Sequence, residues 1–199
     1  MKNLWIWVLG VMVVSSHVAL ADQVKAELTY HSIQAKSANV LEVKSAAFKH
    51  SESIPLENSS YGASLSPALS WSAGPAGTKS YAILLEDEDG IKDGKPIVHW
   101  VVYNIPGTVT SLGANLPKDG KLATPKGVLQ GVTINGKTGY LGPRPRPATG
   151  THHYHFQVYA LDNILELPEG VSREQFVEAL RGTVLAKGKL EGIYESPRE

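Results

Sequence analysis

Cysteine is absent from the 199-residue chain. Disulfide staples, thiol catalysis and thiolate metal sites are therefore excluded. An excess of one charge is absent as well, because 19 basic and 19 acidic side chains cancel. Nucleic-acid binding usually shows as a basic surplus, and this balance gives it no support. The apolar run Leu4 to Val14 is too short for a comfortable membrane span. Familiar catalytic signatures are missing too. No G-x-S-x-G marks a nucleophile elbow, and no P-loop or G-x-G-x-x-G follows a strand. Asp, His and Ser are all present, but no spacing aligns them as a triad.

What is present begins with a leader. Lys2 supplies a positive start, Leu4 to Val14 an apolar centre, and Ala19-Leu20-Ala21 a small-x-small cleavage site. The expectation is a secretory signal over residues 1–21, cut after Ala21, with one domain over 22–199 and no membrane span once it is gone. An exported chain without cysteine suits a bacterial periplasm, or secretion from such a cell.

The remainder reads mostly as strands. Expected segments are Val24 to Ile33, Val40 to Phe48, Ala68 to Ser72, Ser80 to Glu86, Val98 to Ile105 and Tyr154 to Leu161. Residues 111–139 carry eight glycines and prolines and read as a long surface excursion. One helix is clear: Ser172 with Gln175 forms a capping box, and Phe176, Val177, Leu180 and Val184 recur at helical spacing. Gly182 offers an early stop and Gly188 a clearer one, before a closing strand from Lys189 to Tyr194.

Chemistry concentrates in two places. Glu86-Asp87-Glu88-Asp89 ends a strongly apolar strand. Four adjacent carboxylates need a cation, a hydrogen-bond network or full solvation, and spacing leaves a solvated loop open. If the strand persists, Asp87 and Asp89 share one face and Glu86 and Glu88 the other. The second place is Gly139 to Asp162, where a Gly/Pro-stiffened loop delivers His152, His153 and Tyr154 to a strand start. His152 and Tyr154 would share a face, with His153 and His155 opposite. A catalytic zinc would therefore need a third ligand, His99 or Asp87, beside at most two of these histidines. His99 by itself also reads as an ordinary core or edge histidine.

Together SPALSW (66–71), GTKSYAILLEDED (77–89), HWVVYNIP (99–106) and GYLGPRP…GTHHYHFQVYALD (139–162) resemble the phosphatidylethanolamine-binding protein family. The bacterial Raf-kinase-inhibitor-like branch, which has exported members, is the most similar. The resemblance implies a mainly β fold: a sandwich of two antiparallel sheets in Greek-key order, with a C-terminal helix. It also implies a small cavity for phosphate-like or carboxylate anions, including phospholipid head groups. Carried over position by position, its walls are Asp87, His99, Tyr140, Gly142, Pro145, His152 and Tyr154.

Two departures from the family pattern bear on that site. D-P-D-A-P is here Asp87-Glu88-Asp89-Gly90-Ile91, a freer loop with an extra carboxylate. G-P-C-P-P is Gly142-Pro143-Arg144-Pro145-Arg146, whose arginines restore positive potential. The function expected is a non-catalytic periplasmic binding protein for a small anion, with modulation of a protein target as a further role. No catalytic residue, cofactor or metal is implied, and the family's bacterial members leave a homodimer open. The alternative is an enzyme, metal-dependent or ester-hydrolysing, built on the same His/Asp pocket.

Overall fold

The computed structural model describes residues 25–197. The leader and its cleavage site lie outside the described residues. Two sheets carry the chain. The smaller contains β1 (Val43–Ser45), β3 (Leu69–Trp71) and β6 (Ser111–Leu112), in the order β1-β3-β6. The larger contains β2 (Glu52–Ser53), β4 (Ser80–Lys92), β5 (Lys95–Pro106), β7 (Leu129–Gln130), β8 (His152–Leu161) and β9 (Val184–Tyr194). Its order is β2-β9-β8-β4-β5-β7. All pairings are antiparallel except the short β2–β9 edge.

The inner strands are nearly continuous apolar runs because both faces of the large sheet are covered. Tyr81, Ile83, Leu85, Trp100, Phe156 and Val158 face the small sheet and pack with Leu69, Trp71 and Leu112. Ala82, Leu84, Val101 and Tyr159 face the other way, under helix α2 (Arg173–Leu180). That helix buries Phe176, Val177 and Leu180, worth about 1.5–3 kcal/mol for each large side chain. The β9 strand, nearer the edge, keeps strict in–out alternation. Among the described residues no helix is long and apolar enough to cross a membrane.

Four local expectations change. Residues 24–33 do not form a strand where described; a single helical turn, α1 (Thr29–Ser32), stands there, docked on Glu86. The segment around Val40 shortens to β1, with Val40 itself in an isolated bridge to Lys187. Helix α2 stops at Leu180, and Gly182 takes φ +71°. Gly188 does not end anything: it sits inside β9, where a Cβ would lie 2.0 Å from the Leu41 carbonyl oxygen. Close backbone approach, not helix termination, is its reason. The excursion at 111–139 is tied down by buried Gln130, which accepts from Trp100 Nε1 at 2.7 Å and donates to the Pro117 and Asp119 carbonyls.

The N-terminal segment and α2 are locked to the sheet by one buried ion pair. Glu86 is fully buried and accepts from Arg173 Nε at 2.7 Å, from the Thr29 amide and hydroxyl, and from Gln157. Removing one partner strands a buried charge. Arg173→Ala should cost about 3–5 kcal/mol in urea unfolding. Arg181→Ala, whose pair with Glu178 is exposed, should cost about 1 kcal/mol or less. Equal losses would mean that the Glu86 network contributes no more than a surface pair.

Candidate functional site

The acidic run at 86–89 resolves into four separate pairings. Glu86 meets Arg173, Asp87 meets His152, Glu88 meets Lys25, and Asp89 meets His153. Asp87 and Asp89 do not share a face. The β4–β5 register jumps between Asp87 and Ile91, so the intervening residues loop out and Asp89 turns to His153. Glu88 likewise points away from the pocket, toward Lys25 and His155.

A second irregularity aims His99. Leu85 pairs with Trp100 and Glu86 with Val98, leaving His99 as the extra residue of a bulge. Trp100 remains in the inter-sheet core, and His99 joins Asp87 and Tyr154 at its rim. Asp87 pairs across the sheet with Ile97 on one side and Tyr154 on the other. Side chains at 87, 97, 99, 152 and 154 thereby reach one cavity of about 520 Å³.

The Asp87 carboxylate is the hub. Its Oδ2 accepts from His152 Nδ1 at 2.8 Å, and its Oδ1 accepts from the Asp89 and Gly90 amides at 3.0 Å. Gly90 is required here, because a Cβ would come within 2.8 Å of Oδ2. The loop that reads as freer in sequence is therefore clamped to the site. Burial alone would raise the Asp87 carboxyl, but the His152 hydrogen bond and the neighbouring imidazoles outweigh it, and its pKa falls below the ordinary value. The same hydrogen bond, against partial burial, raises His152. His152 Nε2 lies 3.1 Å from Thr149 Oγ1, and that hydroxyl donates to the Arg146 carbonyl at 2.8 Å. A hydroxyl so directed accepts from Nε2–H, the arrangement of a protonated imidazole.

His99 is the opposite case. Burial lowers its pKa despite the Asp87 charge. Its Nδ1 donates to the Leu141 carbonyl at 2.8 Å, while the Leu141 amide donates back to the His99 carbonyl. In the neutral ring Nε2 is then a lone-pair acceptor. Tyr154 lies edge-on to His99, ring centroids 5.2 Å apart, and stacks near His152. It is fully buried, and its hydroxyl, though beside the Asp87 carboxylate, makes no well-formed hydrogen bond among the described residues. Burial and the Asp87 charge hold that phenol far above its usual pKa, so it remains an O–H donor.

Six of the seven sequence-expected positions line the cavity: Asp87, His99, Gly142, Pro145, His152 and Tyr154. Gly142 permits the wall to close, since a Cβ there would meet the Asn58 carbonyl oxygen at 2.5 Å. Tyr140 does not line it. Its ring packs edge-on against Trp100 and its hydroxyl donates to the Asn58 carbonyl at 2.8 Å. Arg144 and Arg146 stand exposed at the mouth, Arg144 over the Tyr61 ring. Tyr61 stacks on Tyr194 and donates to the Pro145 carbonyl, bracing the Pro-rich wall. Sequence reasoning missed Ser60, Ile97 and Thr149. Ile97 was findable, two residues before His99 on one strand face; Ser60 carries no local signal.

The chain matches the family profile described as phosphatidylethanolamine-binding protein over residues 44–195. It is 40% identical over 154 residues to a UPF0098 protein of Methanothermobacter thermautotrophicus, covering 77% of this chain and 98% of that one. A Mycobacterium tuberculosis relative with "lipoprotein LppC" in its name is 33% identical over 172 residues, covering 86% and 80%. Among solved structures, Escherichia coli YbcL, described as a new member of the mammalian PEBP family, superposes with a TM-score of 0.74 at 30% identity. That match covers 80% of this chain and all of YbcL.

The two cavity histidines should titrate on opposite sides of the ordinary imidazole value of 6.5. Raised His152 contributes stability that is full below about pH 6.5 and fades as pH climbs through its folded value. Lowered His99 contributes above about pH 6.5 and fades as pH falls through its folded value. Their joint contribution peaks near pH 6.5. Imidazole NMR should place His152 above 6.5 and His99 below, and Asp87→Asn should drop His152 toward 6.5. Coincident titration of both rings near 6.5 would contradict the hydrogen bonds described.

Proposed function

Since the chain belongs to the phosphatidylethanolamine-binding protein family, we propose that its cavity binds a small phosphate-bearing anion, without catalysing a reaction on it. One observation carries the reading: Tyr154 is a fully buried hydroxyl in a polar cavity, beside the Asp87 carboxylate but with no well-formed hydrogen bond among the described residues. A buried donor left unsatisfied costs about 1–3 kcal/mol, and a ligand oxygen would recover it. The surrounding charges favour an anion. His152 is held toward the protonated form, two guanidiniums flank the mouth, and Glu88 is turned away.

His99 refines the ligand class. Its neutral Nε2 is an acceptor, so the favoured guest offers a donor beside its anionic oxygens. A monoprotonated phosphate monoester, or a phosphate carrying an ammonium as in an ethanolamine head group, meets both needs. Export belongs to the same proposal, resting on the leader-like residues 1–21 and on a relative with "lipoprotein" in its name. A protein target modulated by the loaded cavity is compatible with this placement.

Ester hydrolysis is the second reading, because Asp87, His152 and Thr149 are in line at 2.8 and 3.1 Å. Two features weigh against it. The Thr149 proton is directed at the Arg146 carbonyl, and the Asp87 hydrogen bond that raises the His152 pKa favours the protonated ring, which is a poor general base.

Calorimetry with inorganic phosphate and with phosphoethanolamine tests the binding reading. Tyr154→Phe should weaken binding about tenfold while leaving the urea midpoint unchanged or higher, since it deletes an unpartnered hydroxyl. Undiminished affinity in Tyr154→Phe, or no binding by the wild type, would sink it. Turnover of a p-nitrophenyl ester that disappears in Thr149→Val would favour the enzyme instead.

A further inference from the structure

Beside its polar groups the cavity has an apolar wall that a phosphate would leave bare. Its volume of about 520 Å³ lies in the ~300–1,000 Å³ range of pockets that enclose whole small molecules, so a phosphate group fills only a fraction of it. Of six large apolar side chains that stand exposed among the described residues, Ile91 at 42% and Ile134 at 36% both line this cavity. Half-buried Ile97 joins them. The β4–β5 hairpin brings the three together: Ile97 pairs with Asp87 and Ile91 with Pro96, while the Ile134 amide donates to the Val98 carbonyl at 3.0 Å. A Cβ on Gly90 would lie 2.8 Å from Asp87 Oδ2 and 3.0 Å from Ile97 Cδ1, so the isoleucine wall starts directly beside the hub carboxylate. Apolar side chains left in water at a pocket rim are stabilised by whatever covers them.

The charge pattern narrows what that cover can be. Among the described residues Asp87 is the only carboxylate on the lining, and its oxygens already accept from His152 and from the Asp89 and Gly90 amides. Glu88 and Asp89 turn to Lys25 and His153 instead. Asn135 also lines the cavity, but its Oδ1 accepts from the Thr133 hydroxyl at 2.6 Å and from the Lys137 amide at 3.0 Å. An ammonium on the guest would lie against isoleucine, near two guanidiniums of like charge, and would lose hydration without gaining a free carboxylate. His99 Nε2 needs one donor, which a protonated phosphate oxygen supplies without help from the substituent. We propose that the cavity selects a phosphate monoester whose substituent is uncharged and apolar, with Ile91, Ile97 and Ile134 as the wall that sets this preference. The proposal rests on the anion-binding role assigned to the cavity above, and it favours the apolar ester over the ethanolamine-type head group.

The test is calorimetry with n-propyl phosphate and phosphoethanolamine, which differ only in a terminal methyl against a terminal ammonium. The wild type should bind the propyl ester about tenfold more tightly. Replacing Ile91 and Ile134 together by serine should lower propyl phosphate affinity several-fold more than methyl phosphate affinity. Ile134→Asp, which sets a carboxylate on the wall, should shift the propyl-to-ethanolamine ratio about tenfold toward phosphoethanolamine. Both isoleucines lie outside the two buried core clusters, so the fold is not at stake. Comparing ratios between chains cancels the difference in phosphate ionisation between the two esters. Octyl phosphate separates the sources of such a ligand: equal binding of propyl and octyl esters supports a compact metabolite, and a further gain with octyl supports a lipid-like chain crossing the exposed rim. Phosphoethanolamine bound as tightly as propyl phosphate, or a ratio unmoved by Ile134→Asp, would overturn the proposal while methyl phosphate binding left the anion role standing. No binding of any ester would overturn both.

Discussion

The 2.8 Å hydrogen bond from His152 Nδ1 to Asp87 Oδ2 joins the far part of β4 to the first residue of β8, and the cavity depends on it. Asp87 also receives two amides from the loop that follows it, so one carboxylate fixes a strand, a loop and an imidazole together. Without that anion, His152 would lose the partner that raises its pKa, and Tyr154 would lose the charge that helps to keep its proton in place. A site preorganised in this way presents its donors without reordering them when a ligand arrives.

The same logic runs along the whole acidic run. Four carboxylates in sequence would repel one another on a flat strand. The bulge after Asp87 sends them in different directions, each to its own partner. Glu86 anchors the N-terminal turn and α2, Asp87 builds the cavity, and Glu88 with Asp89 holds the opposite face. One stretch of strand end thus serves both stability and the cavity.

Much of this was legible before any coordinates. The uninterrupted apolar character of SYAILL marks a strand covered on both faces, and the Ser172–Gln175 box marks the start of α2. The family-like blocks pointed to six residues that do line one cavity. Errors arose where tertiary contact overrides local pattern. Gly188 punctuates the sequence like a helix stop, yet it is demanded by the Leu41 backbone across the sheet. Tyr140 shares a block with the cavity wall, but the Asn58 carbonyl takes its hydroxyl. The pairing of Asp89 with His153 instead of the cavity follows from a bulge, and a bulge leaves no mark in residue periodicity. Thr149 escaped notice because its role comes from distance to His152, not from its own type.

A crystal structure of the chain grown with inorganic phosphate would test the central claim most directly. The account predicts a tetrahedral anion in the cavity that accepts from the Tyr154 hydroxyl, with His99 Nε2 at hydrogen-bond distance from a protonated oxygen and an arginine from the mouth turned inward. A cavity closed by Arg144 or Arg146 with no anion at Tyr154 would contradict it, and would move the function of this chain from the cavity to its surface.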